Sequence, residues 1–106
     1  MPKTGQGPLD ETIHAQARLS IVAFLAGLES SGFTALRDAL GMTDGNLSTH
    51  LRKLEDAGYV ATDKQFVDRK PHTTVRLTET GRQAFADYLR ALERLLGKPR
   101  NPGDDR

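Results

Sequence analysis

A chain of 106 residues, 37% hydrophobic and 27% charged, has room for one domain with a modest core. It contains no cysteine, which excludes disulfides, thiol redox sensing and thiolate metal sites and suits a reducing compartment. Net charge is only +1, so a polyanionic ligand would have to be met by a local concentration of basic residues.

No apolar run approaches the roughly 20 residues needed to cross a bilayer. The opening MPKTGQGP lacks the apolar stretch of a signal peptide, so a cytoplasmic location is expected. Residues 1–8 and 97–106 are rich in Gly, Pro and charge and are expected to be disordered tails around one domain at 9–96.

Asp10 is placed to cap a first helix reaching about Glu29, with Ile13, Ala17, Ile21, Phe24 and Leu28 on one stripe. Leu19, Val22, Ala23 and Ala26 make its other sides apolar as well, which predicts packing between its own core and a second subunit. Ser30-Ser31-Gly32 breaks this helix. Thr34 can cap a short second helix, Ala35 to Leu40, with Leu36, Ala39 and Leu40 inward and Gly41 as its stop. Thr43 opens a third, to about Ala57, with Leu47, Leu51 and Leu54 on one face and Gly58 as its stop.

Beyond Gly58 the period changes. Tyr59-Val60-Ala61 leads a strand that fades into Lys64-Gln65-Phe66, and Thr73 to Leu77 forms a second strand. Asp68 to His72 lies between them as a basic tip. Thr78 then caps a long last helix bearing Phe85, Tyr88, Leu89, Leu92, Leu95 and Leu96, spaced for helix-to-helix packing. The order is that of a winged helix-turn-helix: a mostly helical α+β fold with a three-helix core, a small hairpin wing and a long C-terminal helix.

With its leucines inward, the third helix turns Gly45, Asn46, Ser48, Thr49, Arg52 and Lys53 outward, with Thr43 at its start and His50 at the border of that face. Short polar groups near the start and cations further along suit a helix lying in the major groove, where Asn reads adenine and Arg or Lys reads guanine. Every amphipathic helix has a polar outer face. What favours DNA here is its position between a tight turn and a basic hairpin. On that hairpin Arg69, Lys70 and His72 suit phosphate or minor-groove contact. From Thr43 to Arg76 six Lys and Arg residues stand against five Asp and Glu, so modest affinity per subunit and a need for dimerisation are expected.

His14, His50 and His72 fall on different elements without paired spacing, so neither a metal nor another cofactor is expected. No Ser-His-Asp or paired-carboxylate arrangement is present in the spacing, and no enzymatic activity is expected.

The runs MTDGNLSTHLRKLEDAGYV (42–60) and KQFVDRKPHTTVRLTETGRQAF (64–85) carry a family likeness. Leu9 to Leu96 resembles the compact winged-helix transcriptional regulators related to the MarR and ArsR groups. The resemblance implies a homodimer joined through its first and last helices, so Ile13, Ala17 and Leu19 with Phe85, Tyr88, Leu89, Leu92, Leu95 and Leu96 form its expected interface. It implies a reading helix at Asp44 to Ala57, a wing at Phe66 to Thr73, and a structural role for Gly81 and Arg82. Double-stranded DNA is the implied partner and a repressor the implied activity, with any small-molecule effector left open. The ArsR cysteine motif is lacking, and with it thiolate metal sensing. The competing reading is a winged-helix module that binds protein, which the near-neutral local charge favours.

Overall fold

The computed structural model describes residues 9–97. The tails expected at 1–8 and 97–106 lie outside that range, apart from Gly97. The elements are α1 (Glu11–His14), α2 (Gln16–Ala26), β1 (Ser31–Gly32), α3 (Phe33–Leu40), α4 (Asp44–Asp56), β2 (Val60–Val67), β3 (Lys70–Leu77) and α5 (Glu79–Leu95).

Asp10 is the first cap: its Oδ1 accepts from the N–H of Thr12 at 2.8 Å and of Ile13 at 3.3 Å. The expected single helix from Asp10 to Glu29 is corrected, because Ala15, at ψ 131, divides it into α1 and α2. Tertiary contacts account for the break. Ile13 is fully buried, His14 Nδ1 lies 2.9 Å from the Tyr88 hydroxyl, and the Tyr59 hydroxyl donates to Asp10 Oδ2 at 2.5 Å. These hold α1 out of line with α2, and alanine, the best helix former, gives no local signal of a break. Because α2 ends at Gly27, Leu28 falls off the expected stripe and is exposed.

Ser31 and Gly32 form a strand rather than a simple break. Ser31 pairs with Val75 and Gly32 with Thr74, giving an antiparallel sheet in the order β1-β3-β2 where a hairpin alone was expected. Two residues are too few to show alternation. α3 follows at once from Phe33, with Gly32 rather than Thr34 as its N-cap. Leu36 is buried, but Ala39 faces solvent, and Phe33 packs on the core instead. Gly41 closes α3 at φ 66, the left-handed geometry in which its N–H reaches back to the carbonyls of Arg37 and Asp38.

The core joins Ile21, Val22 and Leu25 of α2, Leu36 of α3, Leu47, Leu51 and Leu54 of α4, and Val60, Val75 and Leu77 of the sheet. Each such side chain contributes about 1.5–3 kcal/mol when removed from water. All three leucines of α4 are therefore committed inward, which fixes its opposite face outward.

β2 and β3 pair along their whole length, from Val60 opposite Leu77 to Val67 opposite Lys70. The loop expected at 68–72 is a two-residue turn, Asp68-Arg69, with φ 52 and 67, and Lys70-Pro71-His72 belong to β3. Such a turn makes Val67 and Lys70 a hydrogen-bonded pair and Phe66 and Pro71 the next, non-hydrogen-bonded one. The Pro71 nitrogen thus points away from the β2 ladder, and β1 ends too early to need it.

The Thr78 hydroxyl accepts from Gly81 N–H at 2.9 Å and donates to the Gly58 carbonyl at 2.6 Å, joining the start of α5 to the end of α4. Among the described residues no helix is long and apolar enough to cross a membrane.

Candidate nucleic-acid interface

The outer face of α4 emerges as its leucine pattern requires. Gly45, Asn46, Ser48, Thr49, Arg52 and Lys53 are all exposed. Thr43 is the N-cap, and its hydroxyl accepts from Asn46 N–H at 3.1 Å. That bond leaves the Asn46 side-chain amide uncommitted to capping.

His50 is half-buried at the edge of this face. Arg18 Nη1 lies 3.3 Å from His50 Nδ1. A guanidinium can only donate, so Nδ1 accepts and the neutral ring carries its proton on Nε2. Burial lowers the His50 pKa from its ordinary value, and the neighbouring Arg18 and Lys53 lower it further. Arg18 also donates through Nε to the Thr12 carbonyl at 2.6 Å, linking α1 to the edge of α4.

Asp44, which sits at the start of α4 where a carboxylate would repel a phosphate, is held by Arg37 Nη1 of α3 at 2.7 Å. The neighbouring Asp38 holds the same guanidinium at 2.9 Å. Glu55 accepts from the Thr62 hydroxyl at 2.9 Å. Two of the five acidic residues that diluted the segment are therefore engaged by partners within the chain. Neither partner was apparent in the sequence, because Arg37 lies seven residues from Asp44 across a turn whose geometry had to be known first.

A cleft of about 380 Å³ runs between α4 and the sheet, with Phe33, Ser48, Arg52, Lys64 and Thr73 among its lining residues. Lys64 was expected only as the fading end of a strand. The alternation of β2 brings it onto the face that looks toward α4. Beyond it, Arg69, Lys70 and His72 are exposed, Arg69 on the turn and the other two on β3. The cleft thus joins the outer face of α4 to Thr62, Lys64 and Thr73 of the sheet, while strand alternation turns Lys70 and His72 to the face of β3 opposite Thr73.

The residues expected to join two subunits divide. Ile13 and Tyr88 are 0% and 3% exposed and are consumed within the chain. Ala17, Leu19, Phe85 and Leu92 are half-buried, while Leu89, Leu95 and Leu96 are exposed, as is Leu28. Arg82, on α5, donates to the carbonyls of Ala26 and Leu28 at 3.2 and 2.9 Å, holding the end of α2 against α5.

Comparison with known proteins bears on this geometry. A family model described as a winged helix DNA-binding domain matches residues 17–96. An uncharacterized protein of Methanocaldococcus jannaschii is 43% identical over 72 residues, which are 68% of this chain and 78% of that one. Among solved structures, a transcriptional regulator homologue from Pyrococcus horikoshii superposes with a TM-score of 0.78 at 32% identity, covering 83% of this chain and 87% of its own. A MarR-like transcriptional regulator from Thermotoga maritima gives a TM-score of 0.60 at 25% identity, with 88% and 70% covered.

Proposed function

This chain belongs to the winged helix DNA-binding domain family, and from that premise we propose that it is a homodimeric, sequence-specific transcriptional regulator that represses by occupying promoter DNA. The observation that carries the reading is the exposed polar face of α4 set across a cleft from Lys64 on the hairpin, whose exposed far end bears Arg69, Lys70 and His72. Asn46, Ser48, Thr49, Arg52 and Lys53 meet base edges and nearby phosphates in the major groove. The start of α4 adds backbone N–H groups, and Gly45 leaves room for close approach there, since an added Cβ would meet nothing within 4 Å. Arg69, Lys70 and His72 meet the backbone or minor groove beside it.

The experiment is selection of genomic fragments by the purified protein, followed by gel shift at fixed salt. An inverted repeat with half-sites about one helical turn apart is the expected product. Asn46→Ala and Lys53→Ala should each weaken binding to it by about 1–3 kcal/mol, with unfolding curves unchanged. Full binding by both variants sinks the assignment of this face. Absence of salt-dependent binding to any duplex would favour a protein-binding module instead.

A further inference from the structure

The wing carries an apolar pair that the fold does not use. Phe66 is 78% exposed and stands opposite Pro71 in a non-hydrogen-bonded pair, the arrangement in which facing side chains approach most closely. The face they share runs inward through Lys64 and Thr73 to Thr62 and Val75, and ends at Val60 and Leu77. Its inner end is core and its middle lines the cleft with Ser48 and Arg52 of α4. Its outer end is Phe66 and Pro71, continuous with the proposed interface and outside the core cluster.

Cations bracket the pair. Lys64 lies two residues inboard on the same face, about 7 Å away at strand spacing, and Arg69 lies outboard on the turn, with Lys70 at the end of β3 on the opposite face. The strand carries Phe66 about 20 Å beyond Val60. A major groove and the next minor groove are separated by half a helical turn, about 17 Å. Charge, apolar surface and charge in that order match phosphate, sugar wall and phosphate across a minor groove.

We propose that Phe66 and Pro71 form an apolar contact to the deoxyribose walls of the minor groove next to the site of α4, giving affinity that does not depend on salt. The proposal rests on the DNA-binding reading above and adds a contact to it. Arg69 and Lys70 supply the ionic part of the wing, and Phe66 with Pro71 the part that displaces water from sugar.

The test uses a fragment selected by the wild-type protein, titrated between 50 and 200 mM salt, a range in which phosphate contacts are strongly weakened. Phe66→Ala should lose about tenfold in affinity at every salt concentration, with the slope of log K against log salt unchanged. Phe66→Leu should keep most of the affinity, and Arg69→Ala should lower the slope by about one. Hydroxyl-radical footprints should lose protection of wing-side sugars with Phe66→Ala and keep it with Phe66→Leu. Phe66→Ala binding as tightly as wild type, or changing the slope as Arg69→Ala does, overturns the proposal. So does a change in oligomeric mass with DNA affinity intact, which would assign the pair to a protein contact. A wild-type protein that binds no duplex would instead overturn the reading on which the proposal rests.

Discussion

A methyl group added at Gly81 would lie 2.1 Å from the carbonyl oxygen of Tyr59, well inside van der Waals contact. That oxygen already accepts from Thr78 N–H at 3.0 Å, so α5 cannot retreat without losing its own start. Gly81→Ala should therefore cost about 1–3 kcal/mol, read as a lower urea midpoint with unchanged slope. Tyr59 is tied at its other end, where its hydroxyl donates to Asp10. Burial, and then this hydrogen bond, push its pKa up to about 12. The folded protein keeps that proton while the unfolded chain releases it near pH 10. Stability from this group is complete below pH 10 and is lost as pH rises toward 12. Tyr59→Phe should flatten that part of the urea-midpoint profile between pH 9 and 11.5, and an unchanged profile would remove Tyr59 as its source. The family resemblance implied a structural role for Gly81 and Arg82. The sequence did not reveal Tyr59 or the carbonyls of Ala26 and Leu28 as their partners, because those contacts span 22 residues or more.

At the scale of elements, the wing turn departs from what turn chemistry prefers. Asp68 and Arg69 both have positive φ, a geometry for which Asn-Gly is the usual sequence. An L side chain in that region costs about 1–2 kcal/mol, partly offset by the greater chain entropy of glycine when unfolded. Arg69→Gly should thus leave stability unchanged or raise it by up to about 1 kcal/mol while weakening DNA binding and lowering its salt slope. A thermal melt beside a salt-dependent titration decides this, and a strong loss of stability would show that Arg69 serves the fold. This conformation also explains why the hairpin was only half legible. Asp-Arg is a weak turn signal and Pro71 suggests interruption, so a five-residue loop was expected where two residues suffice. The helices were read well wherever a cap and a glycine stop bracketed a leucine stripe, as in α4 between Thr43 and Gly58. They were read poorly where tertiary contacts override propensity, as at Ala15, or where an element spans only Ser31 and Gly32.

At the scale of the whole molecule, net charge and surface point toward pairing. A chain of net charge +1 gathers little DNA by bulk attraction, even with Asp44 and Glu55 engaged internally. Leu28, Leu89, Leu95 and Leu96 are 40–69% exposed, on α5 and its C-cap and just beyond the end of α2. Ile13 and Tyr88 are spent inside the chain, so the proposed dimer surface is narrower than the periodicity implied and centres on these leucines with Leu92 and Phe85. Two linked reading helices bind a double site more tightly than one helix binds a single site, typically by 10²–10⁴-fold. Leu89→Glu with Leu96→Glu replaces exposed side chains, so the core and the melting temperature should change little. Sedimentation equilibrium should then give the monomer mass. Affinity for an inverted repeat should fall by about a hundredfold or more, while affinity for one half-site stays as it was. A double variant that keeps the dimer mass would move the subunit contact elsewhere. One that becomes monomeric yet binds the repeat unchanged would show that a single α4 and wing suffice.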